Sequence, residues 1–108
     1  MANTVLVQSI TNSIANTIQT IYTAPPDGTI ITAWTATNNT GANRSYKAYL
    51  FDASGTVLQA VVPLKIIVRN RFDLGSGITN QFVVGGGTIR VESDLADSIV
   101  FRISGNEL

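Results

Sequence analysis

The chain has 108 residues, of which 44% are hydrophobic and 13% charged; seven basic and seven acidic residues give a formal net charge of zero, and there is no Cys or His. That length allows one domain around a single packed core, and the composition is too apolar for disorder. Neutral balance supplies no field for nucleic acid or an anionic membrane, and the missing Cys and His remove disulfides, thiolate chemistry and the usual ligands of structural zinc.

No apolar run approaches the roughly 18 to 20 residues needed to cross a bilayer. The first residues, MANTVLVQSITNSIANT, carry no Lys or Arg ahead of the apolar positions, so a soluble protein made in the cytoplasm without a secretory signal is expected. In this segment Ile10, Ile14, Ile18 and Ile21 recur at helical spacing, yet the residues between them are Ser, Thr and Asn, which are poor helix formers. Residues 1 to 17 therefore read as an extended arm, and residues 18 to 108 as the folded domain, with a first strand starting near Thr17.

Pro25, Pro26, Asp27 and Gly28 form a turn, because Pro presets φ and Gly tolerates a positive one. From Ile30 the alternation predicts a strand with Ile30, Thr32, Trp34 and Ala36 on one face, Trp34 at the centre of the core, and an Asn38 to Asn43 loop at its end. Tyr46, Ala48 and Leu50 alternate with Lys47, Tyr49 and Phe51. Asp52, Ala53, Ser54 and Gly55 then turn the chain back, so residues 45 to 61 read as a β-hairpin. Val57 to Val68 is apolar at both parities, which implies cover on both sides, and Pro63 places a bend or a sheet edge within it. Beyond Pro63 the pattern sets Ile66, Val68 and Phe72 inward and Lys65, Ile67, Arg69, Arg71 and Asp73 on a wet face.

Gly85, Gly86 and Gly87 precede an alternating strand rather than a helix, so they predict a tight turn and not a phosphate cradle. In that strand Ile89 and Val91 point inward while Arg90 and Glu92 point outward. After a turn at Asp94 to Ser98, Ile99, Phe101 and Ile103 give the last inward set. The fold class is all-β, an antiparallel β-sandwich of about eight strands, with the jelly roll as one form it takes.

The chemistry is sparse. Without His there is no triad. Asp27, Asp52, Asp94 and Asp97 fall in turns, where an Asx side chain caps its own backbone, so no catalytic residue, cofactor or metal ligand is expected. A calcium site using Asp94 and Asp97 lacks loop spacing. Arg69, Arg71, Arg90 and Arg102 share their outward parity with Asp73 and Glu92, which reads as a mixed-charge face; Arg69 and Arg71 are also candidates for docking on an acidic partner. Tyr49 and Phe51 are candidates for sugar stacking or, ahead of that, for a subunit contact. Val61 and Val62, in the doubly apolar run, call for cover by another copy, and Val5, Val7, Ile10 and Ile14 stud an arm that could order on a neighbour.

Ile21-Tyr22-Thr23-Ala24-Pro25 with Gly28, the strand ending in Asn38-Asn39-Thr40-Gly41, the Asp52 to Gly55 turn and Gly87-Thr88-Ile89-Arg90-Val91 together resemble small β-sandwich virion proteins of tailed bacteriophages. The resemblance covers about residues 18 to 107 and implies a capsid cement or decoration protein. Such a protein would be a homotrimer on the capsid exterior, with the major capsid protein as partner and no nucleic acid, membrane or small-molecule substrate. A glycan-binding or tail-associated adhesion module is the alternative, with the Asn38 to Asn43 loop or Tyr49 and Phe51 at the sugar.

Overall fold

The computed structural model describes residues 4 to 108, with the side chains of residues 57 to 61 outside that description. The described residues form nine strands, β1 (Thr4–Thr11), β2 (Gln19–Thr23), β3 (Thr29–Asn38), β4 (Arg44–Phe51), β5 (Val57–Ile67), β6 (Phe72–Asp73), β7 (Phe82–Val83), β8 (Thr88–Ser93) and β9 (Ile99–Glu107), and contain no helix. They form two antiparallel sheets packed face to face. One has the order β1-β9-β3-β6 with β7 also on β3, and the other is β2-β8-β4-β5. This is the β-sandwich that the alternating strands and turn clusters predict. One flank of the sandwich is bounded by β1 and β2, the opposite flank by β5 and β6.

The core forms where inward positions of both sheets meet. Trp34 from β3, Tyr46 from β4 and Phe101 from β9 are buried together, with Phe101 edge-on to both Trp34 (5.7 Å, 63°) and Tyr46 (5.3 Å, 73°). Such edge-to-face pairs add to the area that the rings bury. Ile89 and Val91 of β8, and Ile99, Phe101 and Ile103 of β9, are all buried on the predicted parity. Tyr46, Ala48 and Leu50 of β4 do the same.

Two strands depart from the predicted parity, each at a bulge. In β3 the register with β9 shifts between Ile31 and Ala33, so Ile31 is buried while Ile30 and Thr32 leave the core face that Trp34 and Ala36 keep. In β5, Tyr46 pairs with Lys65 but Ala48 pairs with Val62, so three residues of β5 answer two of β4 across Pro63 and Leu64. That extra residue reverses everything beyond it, since the side-chain period of a strand is two. Val62 and Ile67 are buried, whereas Ile66, Val68 and Phe72, expected inside, are more than half exposed. Pro63 does lie on an edge strand, as its missing N–H requires.

Within the N-terminal extended segment the described residues form a strand from Thr4. Thr4 to Thr11 pairs with β9, with register shifts either side of Val7, and Val7 is buried. The Ile10, Ile14, Ile18 periodicity has no helix behind it. Residues 12 to 18 instead turn from one sheet to the other around Asn12, which is fully buried. Its Nδ2 donates to the Thr17 carbonyl (2.9 Å) and reaches the Val91 carbonyl at 3.4 Å, while its backbone carbonyl accepts from the Asp97 N–H (2.8 Å).

Candidate functional site

The residues expected to do chemistry or recognition are, in large part, occupied in holding the fold. Asn38 ends β3 fully buried. Its Nδ2 donates to the carbonyls of Ala42 (2.8 Å) and Ile67 (2.9 Å), and its Oδ1 accepts from the Thr40 N–H (2.9 Å) and the Thr40 hydroxyl (2.7 Å). An amide with its donors and acceptor committed in this way has nothing left for a sugar. Asp52 accepts from the Ser54 hydroxyl (2.8 Å) and the Thr56 N–H (2.8 Å), and these bonds hold its carboxyl below the usual range. Asp97 accepts from the Thr11 hydroxyl (2.7 Å), and Asp94 sits 3.8 Å from the Arg44 guanidinium. Among the described residues no three acidic side chains converge on one point.

Tyr49 and Phe51 do not form a flat platform. Their rings stand at 69° with centroids 6.2 Å apart, Phe51 is buried, and the Arg90 guanidinium lies 4.0 Å above its ring while Arg90 Nε donates to Thr88 Oγ1 (3.0 Å). Tyr49 donates its hydroxyl to Glu92 Oε1 (3.0 Å). The outer face of this sheet is a set of cross-strand partners, Lys47 opposite Glu92 and Tyr49 opposite Arg90. Arg102 belongs to the other sheet, where it donates to the Gln8 carbonyl (3.2 Å), so the four arginines do not share one face. Arg69 and Arg71 are exposed in the turn between β5 and β6. Asp73, expected beside them on the wet face, instead turns inward. It accepts from the Tyr46 hydroxyl (2.6 Å) and the Gly75 N–H (3.1 Å), with Lys65 at 3.6 Å, and Trp34 Nε1 donates to that same Tyr46 hydroxyl (3.1 Å).

All three tyrosines are held neutral. Burial and the hydrogen bond donated to Glu107 push Tyr22 up to about 12, and burial together with the bonds to Asp73 and Glu92 raises Tyr46 and Tyr49. A phenol whose pKa is raised on folding stabilises the native state below the unfolded value of about 10 and loses that contribution as pH climbs through the folded value. Absorbance at 295 nm should therefore show far less than half of the tyrosine ionised at pH 10 in the folded chain. Resistance to urea should fall from pH 10 upward; half-ionised phenols in a folded protein at pH 10 would contradict this arrangement.

Comparison of the chain with protein-family models, curated proteins and solved structures finds no match.

Two flanks of the structure leave large apolar side chains open to a partner. On the flank bounded by β1 and β2, Val5, Ile14 and Ile18 are exposed, while Ile10 is partly buried against the core. On the opposite flank Leu64, Ile66, Val68, Phe72 and Leu74 are each more than half exposed. A shallow groove of about 350 Å³ adjoins Leu74, running over Ala33 and Thr35 of β3 to Thr79 and Asn80, in the gap between β6 and β7. Of the ten contact candidates read from the sequence, Val7, Phe51 and Val62 are buried and withdrawn from any interface. Val5, Ile14, Arg69 and Arg71 are exposed, Tyr49 is half-buried, and the side chain of Val61 lies outside the description. Sequence reading missed the Leu64 to Leu74 set because the bulge at Pro63 and Leu64 decides which parity faces water. Asn12 and Asn38 were missed as core members because their residue type signals a loop.

Proposed function

We propose that this chain is a structural subunit that works by association, a capsid cement or decoration protein of a tailed bacteriophage. The observation that carries this reading is the division of labour among its side chains. Buried or half-buried polar groups such as Asn38, Asp73 and Tyr46 are spent on the scaffold, while large apolar side chains on both flanks face outward. Monomeric soluble domains rarely leave contiguous apolar surface uncovered, and a neutral chain has little charge with which to keep partners away. The resemblance of its turn motifs to small phage β-sandwich proteins supplies the class of assembly. In that role the β1 and β2 flank, with Val5, Ile14 and Ile18, meets the major capsid protein.

A protein that binds only the assembled shell stabilises it by mass action, because its binding free energy is absent from the dissociated subunits. Added to mature capsids stripped of their accessory proteins, the purified chain should co-sediment with them and raise the temperature at which they release DNA. Ile14→Asp should weaken that binding at least tenfold, a change of about 1.4 kcal/mol or more. Absence of co-sedimentation with mature capsids at saturating concentration would remove the reading. A glycan array is expected to stay blank, since the Asn38 amide is spent on Ala42, Ile67 and Thr40 and Phe51 is buried under the Arg90 guanidinium.

A further inference from the structure

The seven basic side chains of the chain are not equally engaged. Arg44 lies against Asp94 and Lys65 against Asp73, Lys47 stands opposite Glu92, Arg90 covers the Phe51 ring, and Arg102 donates to the Gln8 carbonyl. Among the described residues Arg69 and Arg71 alone have neither an acidic partner nor a side-chain hydrogen bond, and both are exposed in the turn between β5 and β6. The acids without a basic partner are remote from them. Asp27, Asp52 and Glu107 lie at the opposite end of the sandwich, and Asp97 is bonded to Thr11 on the β1 flank.

The turn that carries the two arginines is held stiffly. Asn38 N–H donates to the Arg71 carbonyl (2.8 Å) and Asn38 Nδ2 to the Ile67 carbonyl (2.9 Å). Arg71 N–H donates to the Val68 carbonyl (3.0 Å), Arg69 N–H donates to Asn43 Oδ1 (3.3 Å), and Asn70 takes the positive φ of 56° that the tight reversal needs. Little backbone freedom is left for binding to remove. Large apolar side chains stand on either side of this turn. Ile67 is buried, so Ile66 and Val68 face away from the core, and Asp73 points inward to Tyr46, so Phe72 and Leu74 face away as well; each of the four is more than half exposed.

We propose that this corner docks an acidic segment of a partner protein, whose carboxylates pair with Arg69 and Arg71 while the apolar side chains next to them pack on Ile66 and Val68 on one side and on Phe72 and Leu74 on the other. Charge selects the occupant. A guanidinium presents a fixed fork of donors that matches a carboxylate, and here no acid of the chain itself answers either fork, so a partner's carboxylate adds complementarity without displacing an internal pair. Phosphate-bearing partners fit less well. Two arginines on a chain of zero net charge neutralise few phosphates, and affinity for nucleic acid grows with that number. A bilayer could take up the apolar side chains on both sides of the turn only by drawing in the arginines between them. This surface is separate from the β1 and β2 flank assigned to the shell, and it is tested with no capsid present, so failure of one leaves the other standing.

The probes are a capped peptide with a Glu-Asp-Glu centre between Leu-Val ends and the same peptide with a Gln-Asn-Gln centre, each titrated into the full chain and followed by amide chemical shifts. The acidic peptide should bind at sub-millimolar concentration, with shifts confined to residues 66 to 74. The uncharged peptide should bind the wild type about tenfold or more weakly, and the acidic peptide should lose as much against the double variant Arg69→Gln, Arg71→Gln. Both positions are exposed, so the thermal unfolding of that variant should match wild type. Should it fail to fold, raising NaCl from about 0.05 to about 0.5 M weakens the wild-type complex to the same end. Oligothymidylate and phosphatidylserine vesicles should bind less tightly than the acidic peptide. Shifts that are absent or lie elsewhere, equal binding of the two peptides, or an affinity indifferent to salt would overturn the proposal, and tighter binding of the oligonucleotide or the vesicles through the same arginines would overturn the choice of a protein partner.

Discussion

Gly85→Ala should be among the most damaging single-methyl additions to this chain, lowering stability by about 3 kcal/mol or more, or abolishing soluble expression. A Cβ at this position would fall on the carbonyl oxygen of Pro26, with the carbonyl carbon 2.6 Å away. Both are backbone atoms, so no rotamer change relieves the clash. The close approach is itself fixed by hydrogen bonds, Ala24 N–H to the Gly87 carbonyl (2.8 Å) and Gly86 N–H to the Ala24 carbonyl (3.2 Å). These bonds dock the glycine run on the Pro25 to Gly28 turn, and separating the two segments would break them. Gly41→Ala is the matched control, with nothing within 4 Å of the added methyl, and should stay within about 0.5 kcal/mol of wild type. Urea midpoints compare the two, and equal midpoints would mean that the Pro26 and Gly85 backbones are not in contact.

The glycine run also shows how far the sequence could be read. Three consecutive glycines ahead of an alternating strand are enough to reject a phosphate cradle, and the turn is where that argument puts it. Which backbone segment the turn touches is a long-range fact, and nothing local to residues 85 to 87 encodes it. The same boundary runs through the strands. β4, β8 and β9 keep an unbroken alternation on their inward face, so Tyr46, Ile89 and Phe101 could be placed inside from period alone. In β3 one extra residue changes the phase; in β5, which has three register shifts against β4, the one beside Pro63 and Leu64 decides the face of the residues beyond it, and only Pro63 hints at it. That one slip exchanged Ile66 for Ile67 in the core and so hid the exposed apolar flank of β5 and β6. The N-terminal strand was obscured for a different reason. Ser, Thr and Asn dominate its continuation, and the burial of Asn12 depends on carbonyls at Thr17 and Val91 that the chain brings together only on folding.

Asn38→Ala should cost about 3 kcal/mol, a large loss for an exchange at the end of a strand. The amide joins β3 of one sheet to Ile67 of β5 in the other and closes the Thr40 turn, so removal leaves the Ile67 carbonyl without this donor in the interior. Neighbouring Asn39, which is exposed, is the control, and Asn39→Ala should be within about 0.5 kcal/mol of wild type. Asn38→Asp separates the two sides of the amide. Its carboxylate still accepts from Thr40 but faces the Ala42 and Ile67 carbonyls with no hydrogen to give, so burial and repulsion raise its folded pKa above the unfolded value of about 3.9. A carboxyl shifted in that direction stabilises the fold when protonated and loses the contribution as pH rises through the folded pKa. The variant should therefore tolerate more urea, relative to wild type, at pH 4 than at pH 7. Equal deficits at the two pH values would show that the amide's donors are not what matters.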